Sequence, residues 1–173
     1  METFDAITTR CACRTYTDQQ ITPEQTEKLI QAANAAPAAS RDFSTVKLTV
    51  VQDAILRTEI EQATAFALPP LKAHPTFEAP TLMILSIKPN EAVPVVPYCN
   101  ASCMAENIMI EANDLGLASV FLMGVPIAMK KKPDLLHKLH IADGFVPAIV
   151  VAVGYAKEPI SERKPMRILV ERL

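Results

Sequence analysis

The sequence predicts an α+β fold in which helices cover both faces of a central sheet. Its 173 residues are enough for one sizeable core and too few for two. Segments with helical periodicity alternate with short β-branched segments, and several of these strands are apolar on both faces. Such strands need cover on both sides, so we expect a three-layer α/β/α sandwich that forms one domain over residues 1–173.

The first helices have clear boundary signals. Residues 2–9 are expected to form a short helix. Thr22 is a predicted N-cap, followed by a proline at the first helical position and by Gln25 three residues after the cap, the pattern of a capping box. Pro37 ends this helix. The next helix follows the predicted cap Asp53 and extends to Ala67.

Four segments are predicted strands: residues 46–51, which are rich in β-branched residues, and the mostly apolar residues 81–87, 117–122 and 145–153. The last of these is the longest apolar stretch, and it is too short to span a bilayer. Residues 38–45 are predicted to be a loop. Two proline-rich stretches, residues 68–80 and 88–97, are predicted to be irregular and are typical of lids or interface arms.

A central helix is predicted over about residues 100–115. Its apolar positions cover more than one face, which indicates burial on most sides. Gly116 is placed for a left-handed C-cap. A further helix is predicted over residues 133–140, and the tail after Ala156 is charged and expected to be extended.

Composition excludes several classes of function. A net charge of −2 argues against a nucleic-acid surface. The early residues contain no signal-peptide pattern and no segment long enough to span a membrane, so we expect a cytoplasmic protein. With four glycines in the whole chain, neither a P-loop nor a Rossmann phosphate loop can be formed.

The cysteines favour no metal. Cys11 and Cys13 form C-x-C, and Cys99 and Cys103 form C-x3-C, spacings that differ from the usual zinc motifs. Reduced thiols are therefore expected. The alternative is a four-thiolate zinc or iron–sulfur site, which would make the protein an electron carrier or sensor.

Arg10 and Arg14 indicate a phosphate site. They stand four residues apart, directly after the short amphipathic opening of the chain. Each guanidinium offers a rigid fork of donors that matches phosphate oxygens. The alternative is a pair of solvated arginines at a helix end.

Five weak motifs occur in the order of one known family. They lie at residues 10–16 (RCACRTY), 33–37 (ANAAP), 100–107 (NASCMAEN), 115–119 (LGLAS) and 139–155. In this order they resemble the nitroreductase family of FMN-dependent oxidoreductases. The resemblance covers about residues 4–167.

The resemblance implies a homodimer with two FMN sites across the subunit interface. It also implies a mixed, largely antiparallel sheet and a C-terminal tail that is exchanged in the dimer. NAD(P)H would reduce the flavin, and a nitroaromatic, a quinone or a related small acceptor would then take the electrons. Hydride transfer depends on stacking and distance, so no catalytic side chain is expected and the three histidines are assigned no chemistry.

By position, the resemblance implies that Arg10 grips the FMN phosphate with help from two basic residues of the tail. Arg14 would approach the N1–C2=O edge of the ring, where a cation favours the reduced flavin. Met123 and Gly124 would present backbone N–H groups near N5 and O4. The full set of predicted cofactor-binding residues is Arg10, Cys11, Ala12, Arg14, Ala38, Ala39, Arg41, Met123, Gly124, Arg163 and Lys164.

Three positions depart from the family pattern. Ala12 replaces a serine, Arg41 an asparagine and Phe43 a glutamine. Each lost hydrogen bond removes about 0.5–1.5 kcal/mol, up to roughly tenfold in affinity. Arg41 either replaces one lost contact or is solvated. A flavin-binding protein without reductase activity is therefore the alternative function.

Aromatic residues in or beside the irregular loops are candidate lid and substrate residues: Phe43, Phe66, Phe77 and Tyr98. An aromatic side chain over the flavin would select flat, electron-poor acceptors by stacking. The alternative is that these rings belong to the core.

Overall fold

The computed structural model describes residues 1–67, 74–141, 144–160 and 167–173, and the side chains of residues 66 and 67 lie outside the description. The described helices are α1 (Thr3–Thr9), α2 (Pro23–Asn34), α3 (Ala54–Ala67), α4 (Val96–Asp114), α5 (Gly124–Met129) and α6 (Pro133–Lys138). The described strands are β1 (Val46–Val51), β2 (Thr81–Ile87), β3 (Ala118–Leu122) and β4 (Val146–Gly154). Two short 3-10 turns, Ala39–Arg41 and Phe43–Thr45, lie between α2 and β1.

The four strands form one sheet in the order β1–β2–β4–β3, and each neighbouring pair is antiparallel. The predicted largely antiparallel sheet is therefore confirmed. Within the described ranges, parallel pairing is confined to an isolated bridge between Ala12 and Ser119. This bridge adds a short length of the N-terminal segment to the β3 side of the sheet.

The sheet separates two apolar cores. Met83 and Val151 face α2 and α4, whereas their neighbours Leu82 and Val150 face α3, α5 and α6. This alternation follows from the two-residue period of a strand. Because each face of the sheet is covered by helices, the predicted three-layer arrangement is confirmed.

The buried strands were well predicted from the sequence. The boundaries of β1 and β2 agree with the predicted residues 46–51 and 81–87, and those of β3 and β4 differ by one residue. Pro147 is tolerated inside β4 because it pairs with Ser86 where the β2–β4 register shifts. A proline has no N–H for the ladder and is found at such irregularities.

Two helix predictions need correction. The central helix α4 begins at Val96, one turn before the predicted start, inside a stretch predicted to be irregular. Pro97 lies in the first turn, where its missing N–H costs no intrahelical bond. The short helix α5 was not predicted, because six residues beginning at Gly124 are too few to establish a helical period. Among the described helices, none is both long and apolar enough to cross a bilayer.

The predicted capping box of α2 is present. The Thr22 hydroxyl accepts a hydrogen bond from the Gln25 amide (3.2 Å), and the Gln25 side chain accepts one from the Thr22 amide (2.9 Å). The Tyr155 hydroxyl donates to the same Gln25 oxygen (3.0 Å). The cap therefore also ties α2 to the chain just after β4.

Substitution Thr22→Ala is expected to lower the free energy of unfolding by about 1 kcal/mol, because the Gln25 amide loses its acceptor. Urea denaturation measures the change. Thr58→Ala is the matched control, since among the described residues the exposed Thr58 hydroxyl donates only to the Ala54 carbonyl within α3. The control is expected to change stability by less than about 0.5 kcal/mol. Equal losses in both variants would contradict a specific role for the cap.

Candidate functional site

The segment carrying Arg10 and Arg14 is fixed to one end of the sheet. The Cys13 amide donates to the Ser119 carbonyl at the start of β3 (3.0 Å). Beyond β4, the Thr17 amide donates to the Tyr155 carbonyl (2.9 Å), and the Lys157 amide donates to the Thr15 carbonyl (3.1 Å). The two arginines are therefore held on a scaffold of backbone hydrogen bonds rather than on a free terminus.

Tyr16 anchors this segment. Its ring is buried, and its hydroxyl donates to the Cys13 carbonyl (3.0 Å). Burial raises the pKa of Tyr16 well above its usual value, so the hydroxyl remains a hydrogen-bond donor. Gly154 makes room for the ring: a Cβ at that position would lie 3.1 Å from Tyr16 Cδ1 and 2.6 Å from Pro80 Cδ.

Arg10 follows α1 directly, and its side chain is 19% exposed. Its Nε lies 3.4 Å from Glu106 Oε1 of α4, without hydrogen-bond geometry, and is otherwise unpartnered among the described residues. Glu106 orients the guanidinium without using its hydrogen-bonding capacity. A buried guanidinium with unused donors is suited to an anion such as phosphate.

Arg14 is exposed and lies next to a predicted lid residue. Its Cζ is 6.0 Å from the centroid of the half-buried Phe77 ring, at the outer limit of a cation–π contact. Phe77 has a φ of +58°, a left-handed conformation that is uncommon for a residue with a side chain. The fold thus brings together two predicted site residues that are 63 positions apart (77 − 14).

A buried amide holds the loop between α2 and β1. Asn100 is 5% exposed, and its side-chain oxygen accepts a hydrogen bond from the Ala39 amide (3.0 Å). Asn100 is part of the family motif at residues 100–107, but that motif predicts no role for it. The available signal was a polar residue on the face of α4 that otherwise carries apolar residues.

The rest of this loop is open to solvent. Ala38 is half-buried, Ala39 is exposed, and Arg41 is exposed with a φ of +55°. Phe43 is 43% exposed. Within the described part of the chain, the Arg41 guanidinium has no ion-pair partner.

Met123 and Gly124 connect β3 to α5. Met123 is 56% exposed and is the N-cap residue of α5, and Gly124 is the half-buried first residue of the helix. The first N–H groups of a helix have no intrahelical acceptor and can bind other groups.

The length of β3 sets the distance between these amides and the arginine segment. Ser119, which is bridged to Ala12, and Leu122 lie about 10 Å apart along β3 at 3.3 Å per residue. The arginine segment and these amides therefore lie towards opposite ends of one short strand.

Other predicted positions complete the set. Cys11 is half-buried, Ala12 is exposed, and Tyr98 is 38% exposed near the start of α4. Arg163 and Lys164 lie outside the described residues, as does the side chain of Phe66.

Two cavities of the described chain are lined by residues outside the predicted cofactor-binding set. One of about 710 Å³ is lined by residues of α3 and of the segment 131–138. The other, of about 550 Å³, is lined by residues of α3 and of the segment 74–78. Neither cavity is lined by a predicted cofactor-binding residue.

The cysteines do not form a four-thiol cluster within the chain. The buried Cys13 donates to the Thr15 carbonyl, with an Sγ–O distance of 3.1 Å. Cys99 and Cys103 are exposed on α4, whereas Cys11 is half-buried before the Ala12–Ser119 bridge. Among the described residues, no group of three or more His, Cys, Asp or Glu residues could hold a metal ion.

Comparison with known proteins decides the family. The sequence model of the nitroreductase family matches residues 7–155, most of the chain. The chain belongs to the nitroreductase family. The family resemblance read from the order of the motifs is therefore confirmed, and with it the expectation of an oxidoreductase.

Two archaeal relatives of this nitroreductase-family chain are both named "Putative NADH dehydrogenase/NAD(P)H nitroreductase". The relative from Archaeoglobus fulgidus is 29% identical over 157 residues, which cover 91% of this chain and 87% of that protein. The relative from Methanothermobacter thermautotrophicus is 25% identical, with 99% of this chain and 88% of that protein covered.

Solved structures of nitroreductases share the fold. A nitroreductase with bound FMN from Desulfitobacterium hafniense aligns with a TM-score of 0.85 at 19% identity, over 99% of each chain. An FMN-dependent nitroreductase from Clostridium difficile gives a TM-score of 0.84 at 22% identity, also over 99% of each chain. One with bound FMN from Bacteroides fragilis gives 0.81 at 23% identity, over 99% of this chain and 100% of that one. The predicted fold class is thereby confirmed.

Proposed function

We propose that this nitroreductase-family protein is an FMN-dependent oxidoreductase that moves electrons from NAD(P)H to a nitroaromatic, a quinone or a related small acceptor. Family membership, the relatives' names and the FMN of the similar solved structures support it. The observation on this chain that carries the proposal is the Arg10 guanidinium, which is mostly buried and has unused donors. When bound, FMN supplies the two-electron chemistry of the reaction.

Arg10 fits the role of phosphate ligand. Its ion-pair partner Glu106 is 48% exposed and lies 3.4 Å from Nε. Because Nε makes no hydrogen bond to this carboxylate, the guanidinium can still donate to a phosphate. The scaffold around Cys13 and Tyr16 keeps the backbone of this segment in place. A fixed cation binds an anion at a smaller entropic cost than a mobile one. Arg163 and Lys164 remain proposed additional ligands.

The other proposed contacts follow from backbone and charge. Arg14 supplies an exposed cation, which in this role would stand at the N1–C2=O edge of bound FMN and would favour its reduced form. The amides of Met123 and Gly124 are proposed donors towards N5 and O4. They orient the reacting atom and need no titrating side chain.

We also propose that the functional unit is a homodimer. The tail places its apolar residues in solvent: Ile168 is 85% exposed, and Leu169 and Leu173 are fully exposed. Phe4 on α1 is 74% exposed as well. Exposed apolar side chains of this kind often mark a surface that packs against another chain. A second copy of the chain that packs against the tail would cover these apolar side chains.

The test is a titration with FMN followed by addition of NADH or NADPH without oxygen. We expect a yellow complex whose flavin absorbance is bleached by one of the two donors and restored by 1,4-benzoquinone. A protein that takes up no FMN would refute the proposal. Light scattering on the same sample is expected to give twice the mass of the 18.9 kDa chain.

The alternative is an FMN-binding protein without reductase activity. It is favoured by the exposed Arg41 and Phe43, because the loop that contains them offers no side-chain amide. FMN binding without oxidation of either NADH or NADPH would identify this alternative.

A further inference from the structure

An exposed ridge continues from the candidate site along α5. Met123, Ile127 and Lys130 are spaced by four and three residues, so they share one face of the helix. All three are exposed, Met123 by 56% and Ile127 by 51%. We call these three residues the α5 ridge. It presents two apolar side chains and then a cation, in that order, starting from the proposed flavin contacts.

Tyr98 of α4 positions the cation. Lys130 Nζ lies 3.5 Å from the Tyr98 hydroxyl oxygen and 5.8 Å from the ring centroid. The ammonium is therefore at the hydroxyl end of the ring, and much of the ring remains available to a ligand. An ammonium has three donors, so two are left after the contact with Tyr98.

Lys130 differs from a nearby lysine in having no carboxylate partner within the described ranges. Lys138 in α6 contacts both carboxylate oxygens of Glu59 at 2.8 Å and is thereby neutralised. Among the described residues, the side-chain partner of Lys130 is instead the neutral Tyr98 hydroxyl. A positioned cation without a counter-ion, next to exposed apolar side chains, is complementary to an anion that carries a flat apolar body.

We propose that Lys130, positioned by Tyr98, binds an anionic substituent of a reactant, a carboxylate, sulfonate or phosphate, while Met123 and Ile127 contact the reactant's ring. This inference rests on the proposed oxidoreductase function. The spacing is suitable: Lys130 lies seven residues after Met123, about 10 Å along the helix at 1.5 Å per residue.

The experiment compares 4-nitrobenzoate with the neutral 4-nitrobenzyl alcohol as acceptors for the FMN-loaded protein at low ionic strength. For Lys130→Met we expect kcat/KM for the anion to fall about three- to tenfold, mainly through KM, because one partly exposed ion pair is lost. The value for the alcohol is expected to stay within about twofold of wild type. Lys130→Arg should retain most of the preference, and Tyr98→Phe should lose part of it.

Lys131→Met is the matched control. Lys131 is also exposed, and it lines the separate 710 Å³ cavity, so its replacement removes the same net charge from a different place. An equal fall in Lys130→Met and Lys131→Met would overturn the inference, because it would indicate a general charge effect. Unchanged kinetics in Lys130→Met with every reactant would also overturn it.

A second arm compares NADH with NADPH. A loss in Lys130→Met that is confined to NADPH would assign the anionic group to the donor's additional phosphate and would support the inference. A loss confined to 4-nitrobenzoate would assign the anionic group to the acceptor. A wild-type protein that transfers electrons from NADH or NADPH to neither nitro compound nor to 1,4-benzoquinone would refute the proposed function together with this inference. If wild type and Lys130→Met reduce both acceptors with the same kcat/KM and show the same donor preference, this inference alone is refuted.

Discussion

Replacing Arg10 with alanine is expected to weaken FMN binding by about 30- to 150-fold. The loss corresponds to about 2–3 kcal/mol for charge-assisted hydrogen bonds between a guanidinium and a phosphate. Fluorescence titration of FMN into the apoprotein measures it. Stability should change little, because the remaining partner Glu106 is 48% exposed and can be solvated.

Arg41→Ala is the control for this substitution. Arg41 is exposed and has no ion-pair partner among the described residues, so its loss is expected to change FMN affinity by less than about threefold. If both variants bind FMN with the same affinity, Arg10 is not the phosphate ligand. A free phosphate competition assay adds a second readout: phosphate should compete with FMN in wild type and much less in Arg10→Ala.

Replacing Gly154 with alanine is expected to lower the free energy of unfolding by about 3 kcal/mol, the upper range for overpacking a core. The added Cβ would lie 2.6 Å from Pro80 Cδ, 2.7 Å from Pro80 Cγ and 3.1 Å from Tyr16 Cδ1. The proline ring is rigid and cannot turn aside, so the backbone or the Tyr16 ring must move. Urea denaturation measures the loss.

Gly116→Ala is the matched control for Gly154→Ala. Gly116 has a φ of +70°, and a Cβ at this position would have no neighbouring atom within 4 Å, so only backbone strain of about 1 kcal/mol is expected. Pro80→Ala in the Gly154→Ala background should recover part of the stability, since it removes the contacted ring atoms. Equal losses in the two glycine variants would contradict a steric role for Pro80.

The same Gly154→Ala substitution should also weaken FMN binding. Tyr16 holds the segment that carries Arg10, and displacing its ring would shift the proposed phosphate ligand. This effect is to be measured well below the denaturation midpoint, so that the protein remains folded. An unchanged FMN affinity would show that the position of the Tyr16 ring does not affect the proposed phosphate site at Arg10.

Local chemistry explains what could be predicted from the sequence. The boundaries of β1 and β2 agree with the prediction because both segments are rich in β-branched and other apolar residues and are bounded by polar or proline residues. The capping box at Thr22 and the left-handed Gly116 also follow from residues a few positions apart. The family was recognisable because several such signals occur in a fixed order.

Packing between distant segments determined which of these elements meet. The short helix α5 was not predicted, because its six residues are too few to show a helical period. Packing paired Ala12 with Ser119, 107 positions away (119 − 12), and placed Lys130 beside Tyr98. Contacts over such separations depend on how two buried faces fit the same sheet, and a pattern confined to one segment carries no information about its distant partner. The strands, the caps and the family were therefore readable from the order of the residues, whereas the scaffold that positions Arg10 and the exposed cation at Lys130 came only from the packed chain.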